Sequence, residues 1–397
     1  MNSALRIIVT GLIAQHRSLG GVAWDYLNFV LGLKRLGHDV FYIEDSGAWP
    51  YTCNDATSKD PAAYDPRQTV EYLQMIMTEF GLSNKWAYRF PIKSEWFGLS
   101  EWNRTELLRS ADLLINVSGT LERPERYRSV RRLVYVDTDP VFTQIDIAGA
   151  NSDARDRVNT HDIHFTVGEC LGADLPVTGH HWYPTKHPIV RREWDCRVRH
   201  QNTFTTVMNW TSYASIIYRG RMYGQKDIEF AKFVNLPKKV FPTTLEVALH
   251  KPDITWSSND QRPTQLERLK QLGWQVVDAT EVCPDFNSYR RYIQQSKGEW
   301  SVAKNGYVDG KSGWFSGRSG CYLAAGRPVI VQDTGFSQVL PVGEGILPFN
   351  TLEEAEAAIR EVQSNYGRHA KAAQGLAEAY FDSDKVLNRL LEISMNN

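Results

Sequence analysis

Residues 299–336 read EWSVAKNGYVDGKSGWFSGRSGCYLAAGRPVIVQDTGF. EWSVAK (299–304) is a strand that ends in Lys304, and a loop carrying Gly306, Gly310, Gly313 and Gly317 follows. SGRSGCYLAAG (316–326) opens a helix, with Ser316, Arg318 and Ser319 at its start. RPVIVQDTG (327–335) is the next strand. Strand, glycine loop, helix, strand predicts parallel strands joined by a crossover helix. In such folds the ligand-facing loops leave the C-terminal ends of the strands.

The same alternation runs outward in both directions. RIIVTGLIA (6–14) reads as a buried strand and QHRSLGG (15–21) as a loop. The helix 22–37 carries Val22, Tyr26, Phe29, Val30, Leu33 and Leu36 at spacings of three and four, and Gly37 ends it. Strands follow at 38–45, 112–120, 132–140 and 163–169, with a helix at 68–80. From 173 to 194 the period breaks, with Pro176, Pro184 and Pro188 inside it, as in an interdomain linker. A second series then begins: strands at 204–210, 245–250 and 274–280, a helix within 226–239, and helices at 263–273 and 286–296. Helix 351–363 has Thr351 at its cap and Glu354 three residues on, and 366–394 is helical. The pattern predicts an α/β chain of two Rossmann-like domains facing across a cleft. Their bounds are 1–178 and 201–380, with a linker at 179–200 and a C-terminal helix, 381–397, packing back on the first domain.

Composition narrows the function. The 397 residues carry 45 Lys+Arg against 46 Asp+Glu, a net charge of −1, which excludes a binder that depends on a large cationic surplus and predicts no nucleic-acid partner. At 42% hydrophobic and 23% charged, the chain is a folded one. The 12 Trp and 18 Tyr suit either stacking clefts or thick cores. Five cysteines without a CxxC pair predict reduced thiols, no metal framework and a bacterial-type cytoplasmic setting. No stretch approaches the ~20 apolar residues of a membrane span, and the N-terminus does not read as a signal peptide. A homo-oligomer is compatible with all of this.

The start of helix 316–326 presents free backbone N–H groups and a positive dipole end, which favour a phosphate. Lys304 and Arg318 add charge for a diphosphate, and Ser316, Gly317 and Ser319 add donors and close approach. The alternative is a solvated basic loop capped by an ordinary serine. Asp333, Thr334 and Gly335 end the next strand and face the same side. Asn209 and Trp210 end the first strand of the second half, where Trp210 or Tyr213 is placed to stack a base. In the first half, Asp137 and Asp139 end a strand and are candidates to accept a proton from an acceptor hydroxyl; the alternative is a turn cap before Pro140. His16 follows the first strand and has the near-neutral titration a base needs, with Asp25 placed to orient it. Gly20, Gly21 and Glu169 complete the supposed cleft loops.

YLAAGRPVIVQDTGF (322–336) resembles the donor-binding segment of GT-B glycosyltransferases, particularly bacterial glycosyltransferase-4-like chains. The resemblance extends more weakly to the GG and RLGHDV of the opening unit, the mid-chain linker and the helical tail. It implies a cleft between two Rossmann-like domains, donor on the second and acceptor on the first. It also implies transfer from a nucleotide-diphosphate sugar without metal or other cofactor, and a role for His16 as base. The Glu-x7-Glu element of many retaining members has no counterpart here: Asp309 and Lys311 lie in the loop, and Ser316 and Arg318 hold the helix start. Asp137-Thr138-Asp139 also matches the D-x-D of the other glycosyltransferase fold over three residues only. Two other readings stay open. One is an NAD(P)-dependent oxidoreductase, for which Gly11 lacks a glycine two residues on and Glu44 or Asp45 would hold a ribose. The other is a non-catalytic nucleotide- or sugar-binding protein.

Overall fold

The computed structural model describes residues 4–50, 65–91, 93–149, 152–172, 175–196, 198–250 and 265–396. Most of the irregular 46–65 segment and the start of the expected helix at 263 lie outside them. The first sheet contains β1 (Arg6–Thr10), β2 (Asp39–Glu44), β3 (Trp86–Phe90), β4 (Glu95–Gly98), β5 (Leu113–Val117), β6 (Leu133–Asp137), β7 (Ile163–Thr166) and β8 (Trp182–Pro184). Their order is β4-β3-β2-β1-β5-β6-β7-β8, parallel throughout except for the β3–β4 pair. LLINV in β5 and LVYVD in β6 are buried at every position, because helices cover both faces of a parallel sheet.

The second sheet follows the linker. Its strands are β9 (Thr203–Met208), then, after a separate hairpin of β10 (Ile216–Tyr218) and β11 (Arg221–Tyr223), β12 (Thr244–Leu249), β13 (Gln275–Asp278), β14 (Gly298–Ser301), β15 (Val329–Gln332) and β16 (Ile346–Phe349). The order β13-β12-β9-β14-β15-β16 is parallel throughout. The hairpin turns on Arg219 and Gly220, both at positive φ, as a two-residue hairpin loop requires.

The expected α/β class and the two Rossmann-like halves are therefore present. Several elements differ from expectation. Strands β3, β4, β8, β16 and the hairpin are additional. Trp182–Pro184, inside the segment read as linker, is an edge strand of the first sheet. The expected helix within 226–239 is three short pieces, Lys226–Phe230, Ala231–Phe233 and Leu236–Val240.

The halves are joined by a continuous core. Trp24 of helix Gly20–Arg35 packs on Trp194 of the linker at 4.9 Å and donates from Nε1 to the Phe286 carbonyl at 2.7 Å. Burying one such indole removes roughly 200 Å² from water, on the order of 5 kcal/mol of transfer free energy. Ile189 bonds the backbone on both sides of Asp382, so the linker and the tail cross side by side. Helix Ser383–Asn396 then lies on helix Gly20–Arg35, where a β-carbon at Gly32 would meet Leu387 at 2.4 Å. A second core around Trp300, Phe230, Trp274 and Phe349 fills the outer face of the second sheet. Much of the aromatic content is thus core. Among the described residues no helix is long and apolar enough to cross a membrane.

Candidate functional site: a cationic cleft between the halves

The loops at the C-terminal ends of β1, β9, β12, β13 and β14 enclose a cavity of about 220 Å³. The first half contributes Leu19, Gly20, Gly21, Val22 and Asp25. The second contributes Val207, Met208, Asn209, Ser212, Lys226, His250, Ala279, Cys283, Tyr289, Lys304, Ser316 and Arg318. This is where a doubly wound sheet offers a ligand its backbone donors.

Helix Gly317–Ala324 begins at this wall. Ser316 is its N-cap in extended conformation, yet its side chain makes no capping hydrogen bond. The first-turn N–H groups and the hydroxyl are thereby left for a ligand.

Three cations face the same space. Burial pulls the Lys226 ammonium well below its usual range, and Arg318 and Lys304 add to the effect. Burial also lowers Lys304, against the pull of Asp139. Three N–H-bearing cationic side chains on one wall suit a multiply charged anion.

Arg318 is not the free fork expected of it. Nε donates to Glu299 Oε1 at 2.7 Å, Nη1 to the Val207 carbonyl at 2.7 Å and Nη2 to Ser301 Oγ at 2.7 Å. Glu299 is fully buried, so Arg318 first neutralises an internal charge. Two of its five N–H donors remain for a ligand.

Lys304 is also engaged. Its Nζ lies 3.0 Å from Asp139 Oδ1 and 2.8 Å from the Tyr213 hydroxyl. Tyr213 and Tyr307 both donate to the same Asp139 carboxylate. Asp139 is therefore the centre of a clasp between the halves, its carboxylate already engaged by three donors. Asp137 is buried and accepts from Thr143 Oγ1 (2.7 Å), Gln144 Nε2 (3.0 Å), Thr166 Oγ1 (2.8 Å) and the Asp139 amide (2.9 Å). Its role is to shape the turn after β6.

No protein-family description and no curated protein sequence matches this chain. Solved structures do match in shape over nearly its whole length. Anabaena Alr3699/HepE in complex with UDP-glucose superposes with a TM-score of 0.56 at 10% identity, covering 99% of this chain and 100% of that one. An alpha-glucosyltransferase in complex with UDP and a 13-mer DNA containing an HMU base gives 0.55 at 12% identity over 99% and 100%. Sucrose-phosphate synthase from Thermosynechococcus elongatus gives 0.51 at 12% identity over 98% and 97%. The chain has the GT-B fold.

Within this GT-B chain, the other expected site residues divide sharply. Gly20, Gly21, Asn209, Lys304, Ser316 and Arg318 line the cavity. His16 is not in that lining. It sits in the turn 12–19, where burial holds its imidazole down to about 4. Glu169 pairs with Lys186 Nζ at 2.5 Å. Asp333 accepts from the Gly335 amide at 2.9 Å and from Ser337, and Thr334 Oγ1 donates to the Trp314 carbonyl at 2.6 Å. The turn 333–335 thus holds itself together and does not line the cavity. Trp210 packs on Phe230 at 5.1 Å in the outer core, and Tyr213 belongs to the clasp, so neither is placed as the base-stacking ring. Ser319 is buried behind the helix start.

The glycines of 306–317 serve the domain contact more than a phosphate. A β-carbon at Gly306 would meet Phe142 at 2.5 Å, at Gly310 Val141 at 2.6 Å, at Gly313 the Cys170 amide at 2.8 Å, and at Gly317 His187 at 3.1 Å. Bare backbone is needed here because the first half approaches closely.

Lys226, His250 and Tyr289 line the cavity without having been singled out in the sequence. His250 ends the strand LEVALH, a signal present in the sequence. Lys226 opens a five-residue helix that local pattern does not distinguish from a solvated turn. Glu44 is spent on the Ala14 amide (2.8 Å), the Gln15 amide (2.6 Å) and the Tyr42 hydroxyl (2.7 Å), and Asp45 on Arg89 and Tyr127. The dinucleotide reading thus loses both carboxylates that would hold a ribose. Among the described residues, no group of three or more His, Cys, Asp or Glu side chains is gathered for a metal.

Proposed function

We propose that the chain is a glycosyltransferase that moves a sugar from a nucleotide-diphosphate sugar to an acceptor hydroxyl. The observation that carries this reading is the cavity wall where Lys226, Lys304 and Arg318 surround the uncapped start of helix Gly317–Ala324. In the reaction the acceptor oxygen attacks the anomeric carbon. The bond from that carbon to the diphosphate oxygen breaks, and the electron pair leaves on the diphosphate. Fixed cations and N–H dipoles stabilise that developing charge without reorganising, so no metal is invoked. Each charged hydrogen bond of this kind contributes about 1.5–3 kcal/mol. Two of the solved structures similar in shape are described with UDP or UDP-glucose bound, which supports a nucleoside diphosphate as the leaving group.

The test is a panel of UDP, GDP, ADP and dTDP and their glucose conjugates, read by thermal shift, calorimetry and release of free sugar. A shift with at least one diphosphate together with sugar release supports transfer. Binding with no turnover across an acceptor panel points instead to a non-catalytic binder. No shift with any of the four removes the proposal.

A further inference from the structure

Asp25 is the sole acid among the described residues that line the cavity. It stands on helix Gly20–Arg35, three and four residues after Val22 and Gly21, so the three share the face turned to the cleft. Its helix neighbours Trp24 and Tyr26 are buried, whereas Asp25 is exposed to the cleft.

The other acids weighed at the strand ends, and Glu299, are committed elsewhere. Glu44, Asp45, Asp137, Asp139, Glu169 and Glu299 each accept from protein donors. No described residue donates a hydrogen bond to the Asp25 carboxylate. The charged and titratable groups facing it are Arg318 and Cys321 on helix Gly317–Ala324, Tyr289 on helix Phe286–Gln295, and Tyr26 on its own helix. The walls of the cleft raise its carboxyl from the ordinary carboxylate range, and Arg318 pulls the other way. An unpaired carboxylate that opens on the cavity beside Arg318 and Tyr289, in a site otherwise lined with cations, is matched to proton abstraction.

We infer that Asp25 is the general base of the transfer. Its carboxylate takes the proton of the acceptor hydroxyl as the oxygen bonds to the anomeric carbon, while the diphosphate leaves with its electron pair toward Lys226, Lys304 and Arg318. His16, set back from the cavity, has no part in the step. The inference rests on the transfer reading above, and the two fail in different ways.

The test uses the full chain with UDP and UDP-glucose, or the GDP, ADP or dTDP pair if that diphosphate is the one bound, with water as acceptor. Asp25→Asn is expected to bind UDP within about threefold of wild type. It is expected to lose sugar release by about 10²-fold or more, the usual worth of a positioned base. The wild-type rate rises with pH through a limb near neutrality; Asp25→Glu keeps that limb and Asp25→Asn lacks it. Sugar release by Asp25→Asn at the wild-type rate overturns the assignment. So does a rate loss matched by an equal loss of UDP affinity, or a wild-type chain that binds UDP-glucose and cleaves none at any pH. A wild-type chain that binds none of the diphosphates overturns the transfer reading itself.

Discussion

Lys304, from the second half, holds Asp139, from the first, at 3.0 Å, under the rings of Tyr213, Tyr307 and Phe142. The ammonium that faces the cavity thus already carries an anion supplied by the chain. A diphosphate arriving at Lys304 must share or displace it.

Asp139→Asn removes that internal anion while keeping one oxygen to accept from Tyr213 or Tyr307, which donate to different carboxylate oxygens. A partly exposed pair of this kind contributes about 1 kcal/mol. UDP affinity is expected to rise by up to about fivefold, with a small fall in melting temperature, as calorimetry and thermal denaturation would read. Weaker binding in this variant would place Lys304 outside the phosphate site.

Arg318→Ala leads to a different expectation from the one its sequence position suggests. The substitution strands the Glu299 carboxylate, which is fully buried. Removing one partner of a buried pair costs roughly 3–5 kcal/mol. Urea denaturation should therefore show a large loss of stability before any binding is measured. Pairing Arg318→Met with Glu299→Gln should restore much of the stability and leave UDP binding weak. A single Arg318→Ala variant as stable as wild type would contradict the role given to Glu299.

The α/β class was legible because buried parallel strands read as near-continuous apolar runs, as LLINV and LVYVD do. The edges were not. WYP in β8 is half exposed and ends in a proline, and EWFG in β4 is exposed at both ends, so neither carries a core signature. Within the site, Ser316 and Arg318 were found because a helix start after a strand is a local feature. The reason for Gly306, Gly310 and Gly313 was not legible, because a loop pressed by a neighbouring domain and a loop cradling phosphate both demand bare backbone. Asp137 and Asp139 share one motif but have opposite fates, decided by Gln144 and Thr166 in one case and by Lys304, Tyr213 and Tyr307 in the other. Those partners are distant in sequence, apart from Gln144.

His161 supplies a pH test. It is buried between β5 and the end of helix Ser152–Asn159, with Nε2 3.0 Å from Asn116 Nδ2 and Nδ1 2.9 Å from the Arg157 carbonyl. Burial pulls it down to about 4 from an ordinary 6.5. The unfolded chain then takes up the proton first. The stabilisation is complete above about pH 6.5 and is lost as pH falls toward 4, amounting to on the order of 3 kcal/mol. Glu44, raised to about 7 by burial, acts with the opposite sign over much of the same range, so the test must be differential. Between wild type and His161→Gln, the stability gap should be constant above pH 6.5 and shrink as pH falls to 4. A gap independent of pH would mean that His161 titrates alike folded and unfolded.

Gly20 tests the apposition of the halves. Helix propensity alone says that Ala should stabilise this position by up to about 1 kcal/mol. Packing says the reverse. A β-carbon at Gly20 would lie 2.1 Å from the Asp285 carbonyl oxygen, which is backbone and has little room to yield, and the Gly20 amide donates to the Cys283 carbonyl at 3.3 Å. At Gly21 the nearest atoms are Tyr289 Cε2 at 2.9 Å and Cζ at 3.1 Å, the far end of a side chain rather than backbone. Gly20→Ala is expected to move the second half off the first at the floor of the cleft. UDP affinity should then fall by more than tenfold and the melting temperature should drop by several degrees, while Gly21→Ala stays close to wild type in both. If the two alanines behave alike, the cleft floor is set by something other than the contact between Gly20 and Asp285.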